Sequence, residues 1–138
     1  MVFTRDGVLY WVENKMSLNK PTKHTLFKNT RFALNGLVEV TRHERSFRLQ
    51  ILLFISGMVI AWILPISFVH SAVLSVALFI PLIAEVINSA IERTVDLVTL
   101  DHHELAMRAK DAGAAFVFLS LGMLTFIWAL TLYDAFCL

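Results

Sequence analysis

The sequence is poor in cysteine and glycine. Its one cysteine, Cys137, excludes an intramolecular disulfide and has no metal-ligand spacing. The five glycines are scattered and form neither GxxxxGK[ST] nor GxGxxG, so the common glycine-rich phosphate loops are absent. A nucleotide bound by this chain therefore needs another kind of cradle.

Apolar sequence is abundant instead. Hydrophobic residues make up 57% of the 138 positions and the mean hydropathy is +0.68, which is too high for an ordinary soluble domain of this size. About 20 apolar residues cross a bilayer, and three stretches meet that length: residues 49–69, 72–92 and 112–133. The predicted fold is an all-α membrane protein with three transmembrane helices. Pro81, inside the second stretch, predicts a kink or a gap in its helical ladder.

The part of the chain before the first span has a different pattern. In residues 25–42, apolar positions fall on one side of a helix, while lysine, arginine and amide side chains take the other. This predicts an amphipathic helix in the headgroup plane; a helix packed on a soluble core is the alternative, but little soluble sequence remains to form one. Residues 1–23 are predicted to be a weakly ordered extension without a cleaved signal segment.

Basic residues are distributed unevenly among the connecting segments. They crowd the segment before the first span and recur between the second and third, whereas the first turn and the C-terminal tail have none. Because lysine and arginine favour the cytoplasmic side, the N-terminus is predicted to be cytoplasmic and the C-terminus outside.

A polar stripe begins inside the second span. At about 100° per residue, Glu85, Asn88, Glu92 and Asp96 fall within one narrow arc of a helix. An ionisable group at membrane depth is costly and usually marks function. The stripe continues into a charged segment, predicted to be a loop at residues 93–111, which favours a site on the cytoplasmic side.

Two readings outside enzymology compete with a catalytic site. In an assembly factor the stripe serves only helix packing, which leaves Glu44, Lys110 and Asp111 without a role. In a small transport or proton-relay subunit the stripe lines a path. A path needs polar groups across the whole bilayer, yet the outer half of the second span offers only Ser71 and Ser75.

The residue types near the stripe suit phosphoryl transfer. Carboxylates at Glu44 and Glu92 can hold magnesium through oxygen ligands, and Lys110 can neutralise phosphate. Glu85 lies about 10 Å deeper along the helix, where a carboxylate can act as a general base, and Asn88 can orient either partner. The acceptor is then a hydroxyl at membrane depth, that is, a lipid alcohol.

These residues belong to a longer pattern. The strings EVINSAIE at 85–92, HEL at 103–105 and RAKDAG at 108–113, with Asp96, closely resemble the prokaryotic diacylglycerol kinase family of small integral-membrane lipid kinases. The resemblance runs from about residue 24 to the end and includes ERSFR at 44–48. It implies a homotrimer in the bacterial inner membrane, with active sites between neighbouring subunits. The implied reaction converts magnesium-bound ATP and 1,2-diacylglycerol to phosphatidate and ADP, with no nucleic-acid partner.

The resemblance also implies roles by position. Glu85 looks like the catalytic base and Asn88 its neighbour, while Glu44 and Glu92 look like the magnesium ligands. The implied nucleotide-binding residues are Thr25, Phe32, Glu44, Glu92, Asp101, His103, Glu104, Lys110 and Asp111. The implied lipid-binding residues are Glu85, Ser46, Gln50 and Ala114.

This chain departs from the family pattern at three positions. Thr25 stands where better-known members have an arginine, with Lys23 and Lys28 nearby as substitutes; Phe32 replaces a tyrosine and Gln50 a glutamate. The family also contains kinases that phosphorylate undecaprenol, a long polyprenyl alcohol, and the motif residues do not separate the two acceptors. The AGAA run at 112–115 looks closer to the diacylglycerol branch.

Overall fold

The structure, a computed structural model, describes residues 26–137, and their side chains from residue 29 onward. All regular structure in that part is helical: α1 Leu26–His43, α2 Arg45–Ile63, α3 Phe68–Ala77, α4 Phe79–Val98 and α5 Glu104–Cys137. Three stretches are long and apolar enough to cross a membrane, namely Arg45–Ile63, Phe68–Val98 and Glu104–Cys137. The predicted all-α fold with three membrane-compatible helices is confirmed. The predicted extension at residues 1–23 and Thr25 lie outside the described residues.

Helix α1 has nearly the bounds predicted for the amphipathic helix. The chain divides into two compact units after Asn35, so the first part of α1 belongs to one unit and the rest of the described chain to the other. At its C-terminus, Arg48 donates to the carbonyls of Thr41 and Arg42, at 3.1 Å and 3.0 Å, and so satisfies acceptors that a helix end leaves free. The location of α1 in the headgroup plane stays a prediction.

The first turn lies earlier than the sequence predicts. Helix α2 begins at Arg45 and ends at Ile63, whereas the predicted span covers residues 49–69. Leu64 is extended, with ψ of 139°, because a residue that precedes a proline, here Pro65, is pushed out of the helical region. Ser67 then caps α3 by accepting from the backbone N–H of His70 at 3.3 Å. His70, expected in the turn, therefore lies in the first turn of α3.

The second span is interrupted where the sequence predicts a gap. Pro81 has no N–H to donate to the carbonyl of Ala77, and the regular ladder breaks at Leu78, between α3 and α4. Leu78 keeps a helical backbone, with φ −65° and ψ −21°. The interruption is thus a local gap in one long helical stretch, Phe68–Val98.

The charged segment between the second and third spans is mostly helical. Helix α4 continues to Val98 and α5 begins at Glu104, so the prediction of a loop at residues 93–111 was wrong. Charge marks where the lipid ends, but charged residues such as glutamate, arginine and lysine are good helix formers. At 1.5 Å per residue, α5 is about 51 Å long, so it extends well beyond a hydrocarbon core of about 30 Å.

Packing centres on α3 and α4, because α2 and α5 each pack against both of them. The buried core cluster consists of Ala77, Leu78 and Leu124. Gly57 allows α2 to approach closely, since a Cβ at this position would lie 2.7 Å from Cδ2 of Leu78. Trp128 of α5 donates from its indole nitrogen to the carbonyl of Leu74 at 3.2 Å. These contacts hold α2 and α5 against the helical stretch formed by α3 and α4, and α4 carries the polar stripe.

Candidate active site

The polar stripe of α4 is centred on a buried carboxylate. Glu85 is only 3% exposed, and its neighbours on α4, Pro81 and Ala84, are also buried. The amide nitrogen Nε2 of Gln50, from α2, donates to Oε2 of Glu85 at 3.1 Å. Two helices thus supply the carboxylate and a neutral hydrogen-bond donor to it, both inside the bundle.

One turn along α4, a second amide bridges to the next carboxylate. Nδ2 of Asn88 donates to Oε1 of Glu92 at 2.9 Å. Oδ1 of Asn88 and Oε1 of Gln50 are buried and have no hydrogen-bond partner among the described residues. An unpaired buried acceptor costs about 1–3 kcal/mol and is uncommon in folded proteins. Two of them beside Glu85 and Glu92 indicate a site that a ligand, water or cation completes.

Helix α5 passes the stripe at a glycine. A Cβ at Gly113 would lie well inside van der Waals contact of Oδ1 of Asn88, and 3.6 Å from Cδ1 of Ile91. Glycine is therefore required here by space, because α5 approaches the Asn88 amide with no room for a side chain. The small residues of the AGAA run at 112–115 thus permit a close helix approach at position 113.

Glu44 pairs across helices with Arg93. Their closest nitrogen and oxygen atoms are 3.7 Å apart, and the side chains are 27% and 42% exposed. Three arginines, Arg42, Arg45 and Arg48, lie near Glu44 in the sequence. Arg48 caps α1, however, and the more distant Arg93 pairs with Glu44. Because Arg93 directly follows Glu92, the pair brings Glu44 to the same end of the stripe as Glu92. A half-exposed pair of this kind contributes only about 0–1 kcal/mol, so a cation can displace it.

A second cluster of polar side chains lies where α4 and α5 meet the linker between them, residues 99–103. Nζ of Lys110 is 2.6 Å from Oδ1 of Asp96. Both residues line a cavity of about 260 Å³ together with Asp101, His102 and His103. The cavity combines a cation, carboxylates and imidazoles, which is a surface suited to a charged, hydrogen-bonding ligand.

The structure brings some predicted site residues together and not others. Glu85 joins Gln50, Asn88 joins Glu92, and Asp101, His103 and Lys110 share the polar cavity. Glu104 instead forms an exposed pair with Arg108 at 2.6 Å. The remaining predicted site residues with described side chains, Phe32, Ser46, Asp111 and Ala114, are exposed.

Arg93, beside the site, had no role in the sequence prediction, and Asp96 had no predicted partner. Arg93 was missed because its pairing with Glu44 depends on how α2 packs on α4, which spacing along one helix does not reveal. Asp96 was placed on the stripe, but its partner Lys110 is 14 residues away on α5. No local signal joins the two, although their opposite charges at the lipid boundary are consistent with pairing.

The carboxylates near the membrane surface do not form a complete metal site by themselves. Among the described residues, no group of three histidine, cysteine, aspartate or glutamate side chains is arranged to hold a metal ion. Magnesium, however, is commonly bound by one or two carboxylates together with substrate phosphates. Glu44 and Glu92 carry hard oxygen donors of the kind that magnesium requires.

Comparison with known proteins gives a consistent result. A family profile described as prokaryotic diacylglycerol kinase matches residues 31–132. A diacylglycerol kinase of Pseudomonas aeruginosa is 38% identical over 100 residues, which cover 72% of this chain and 81% of that relative. The diacylglycerol kinase of Escherichia coli K12 is 30% identical over 111 residues, covering 80% and 91%. That of Helicobacter pylori J99 is 33% identical over 111 residues, covering 78% and 87%.

Proposed function

Because the chain belongs to the prokaryotic diacylglycerol kinase family, we propose that it transfers the γ-phosphoryl group of ATP to the hydroxyl of 1,2-diacylglycerol. The products are phosphatidate and ADP. The observation that carries the proposal is Glu85, a carboxylate 3% exposed within a membrane-compatible helical stretch. A base at that depth meets an acceptor dissolved in the bilayer rather than one in water.

Glu85 acts on the acceptor as the general base. Its carboxylate takes the proton of the lipid hydroxyl while that oxygen forms a bond to the γ-phosphorus. The bond from the γ-phosphorus to the bridging oxygen breaks, and ADP leaves with the electron pair. Asn88 lies one turn away, and its unpartnered Oδ1 accepts a hydrogen bond from a donor in the occupied site.

The nucleotide is bound by residues at the C-terminal end of the stripe, near Glu92. Glu44 and Glu92 would hold magnesium, which neutralises charge on the phosphates when it is bound. Lys110 must exchange its contact with Asp96, now 2.6 Å long, for a phosphate oxygen. The 260 Å³ cavity with Asp101 and His103 is the described space that best fits the polar part of a nucleotide.

The proposed setting is the bacterial inner membrane, with three copies of the chain sharing their active sites. Basic residues flank the end of the bundle that carries Glu44, Glu92 and Lys110, which supports a cytoplasmic location for that end. The N-terminus is then cytoplasmic and the C-terminus outside. In this orientation the polar cavity opens towards the compartment that supplies ATP.

The function is tested by phosphate transfer in detergent micelles. Purified protein is given ATP labelled at the γ-phosphate, with diacylglycerol and undecaprenol in parallel, and Glu85→Gln serves as the control. Label in phosphatidate that is lost in the variant is the expected result. Preferential labelling of undecaprenol would keep the mechanism but replace the substrate, and label on neither lipid would overturn the proposal.

Loss of either proposed magnesium ligand is expected to raise the magnesium requirement. Glu44→Gln and Glu92→Gln each remove one anionic oxygen donor. The magnesium concentration for half-maximal rate should therefore rise about tenfold, equivalent to about 1.4 kcal/mol. The measurement is a magnesium titration of the rate at saturating lipid and fixed ATP.

The matched control for the magnesium titration is Glu39→Gln. Glu39 is an exposed carboxylate of α1 that pairs with His43 at 3.0 Å, and its loss should leave the titration unchanged. Wild-type magnesium dependence in both Glu44→Gln and Glu92→Gln would remove these residues as ligands.

A further inference from the structure

Gln50 is the neutral side chain that contacts the proposed base, Glu85, directly. Gln50 is 7% exposed, and its Nε2 donates to Oε2 of Glu85 at 3.1 Å. A carboxylate accepts hydrogen bonds and does not donate them when ionised. The amide must therefore present its nitrogen to Glu85, and this fixes Oε1 of Gln50 on the other side, where it is buried and unpartnered.

The surroundings of Glu85 contain few other charges. The next carboxylate on α4 is Glu92, which is bonded to the intervening Asn88. On α2, the basic residue nearest to Gln50 in the sequence is Arg48, and its guanidinium donates to carbonyls of α1. Helix α3 carries no charged residue besides His70, and α5 presents Gly113 to the stripe. Four charged residues of α5 precede it: Glu104 and Arg108 pair with each other, Lys110 pairs with Asp96, and Asp111 is exposed.

We propose that Gln50 is a positioning residue that holds Oε2 of Glu85 with a neutral donor, so that Oε1 of Glu85 is directed at the lipid hydroxyl. The proposal rests on the proposed function, since it assigns Gln50 a role through the base. An amide suits this role better than a carboxylate. Two carboxylates at hydrogen-bonding distance share one proton, because both cannot ionise easily side by side. With glutamine at position 50, Glu85 is held without competing for its charge.

The first test removes the donor while keeping the size of the side chain. Gln50→Met should lower kcat at least tenfold, because the carboxylate loses its fixed orientation. The KM values for ATP and for diacylglycerol should stay within about twofold of the wild type, since Gln50 acts through Glu85 rather than on either substrate. A raised lipid KM with unchanged kcat would mean that Gln50 binds the acceptor, and wild-type values for both would mean that it has no role; either result overturns the proposal.

The second test changes the charge and reads the pH profile. In Gln50→Glu, the introduced carboxyl can donate to Glu85 only while it is protonated. The variant should therefore work where the two carboxyl groups share one proton and lose activity at higher pH. The ratio of wild-type to variant kcat is expected to rise with pH on the alkaline side, approaching tenfold per unit. Parallel profiles would overturn the proposal, because a purely structural role does not produce this slope.

Two controls separate this inference from the proposed function and from misfolding. Ser56 lies on the same helix as Gln50, and its hydroxyl donates only to backbone carbonyls of that helix, those of Leu52 and Leu53. Ser56→Ala should therefore leave kcat unchanged. Helical content and elution volume in detergent should match the wild type for all variants. If Glu85→Gln is inactive but Gln50→Met is normal, only the role of Gln50 fails; if Glu85→Gln is active, the proposed base itself fails.

Discussion

Substitution of Glu85 by glutamine is expected to lower kcat by about 10²- to 10⁴-fold, the range that general-base catalysis contributes. The change removes the proton acceptor but keeps the size of the side chain and an oxygen that can accept from Gln50. The rest of the site therefore keeps its hydrogen bonds. The measurement is the initial rate of phosphatidate formation at saturating ATP, magnesium and diacylglycerol.

The loss must come from chemistry rather than from unfolding. The variant should keep the wild-type helical content and thermal transition in detergent, and it should still bind nucleotide. Glu39→Gln, the same chemical change on exposed α1, should be fully active. Substantial turnover by a well-folded Glu85→Gln protein would show that another group accepts the proton.

Gly113→Ala is expected to reduce activity by about 10- to 100-fold. The added Cβ would overlap Oδ1 of Asn88, and this amide cannot move away without losing its 2.9 Å bond to Glu92. Overpacking in a protein core typically costs about 1–3 kcal/mol of stability. If this cost falls on the transition state, each 1.4 kcal/mol lowers the rate about tenfold. The measurements are kcat and the thermal transition of the purified protein.

The same helix offers a matched control for this substitution. A Cβ added at Gly122 meets nothing within 4 Å, so Gly122→Ala makes the identical change in open surroundings. It should keep wild-type activity and equal or slightly raised stability, because alanine is the better helix former by about 1 kcal/mol. Equal activity of the two variants would contradict the close approach of α5 to Asn88.

The fold could be predicted from the sequence as far as hydropathy reaches. Length and apolar content predicted three membrane-compatible helices, and Pro81 predicted the gap that the structure has at Leu78. The ends were less well predicted, because charge reports the edge of the lipid and says little about where a helix stops. Arg93 and Lys110 both lie in helices that continue past that edge. The end of α2 is predictable from Pro65, because a proline excludes the preceding residue, Leu64, from the helical region. The prediction missed this end because the charge-free run continues to residue 69.

The site could be predicted where it lies along one helix. Glu85, Asn88 and Glu92 share an arc because helical geometry is regular, and the structure joins Asn88 to Glu92 as that spacing permits. Contacts between helices were beyond the sequence, since they depend on the length of the turn and on side-chain packing. The bond from Gln50 to Glu85, the pair of Glu44 with Arg93 and the contact of Gly113 with Asn88 all belong to this second kind.

The short linker between α4 and α5 has a consequence for the timing of turnover. Residues 99–103 are tied at both ends: Oγ1 of Thr99 accepts from the N–H of Asp101 at 3.1 Å, and Nδ1 of His103 accepts from that of Leu105 at 3.2 Å. Within residues 36–137 no long loop stands beside the polar cavity to close over a nucleotide. Opening the cavity walls requires α4 to separate from α5, whereas release of Lys110 from Asp96 needs only rotation of exposed side chains, a motion of picoseconds to nanoseconds. Nucleotide exchange at this cavity is therefore expected to need rotation of Lys110 and Asp96 but no movement of a loop within residues 36–137, in contrast to kinases in which lid movement limits turnover.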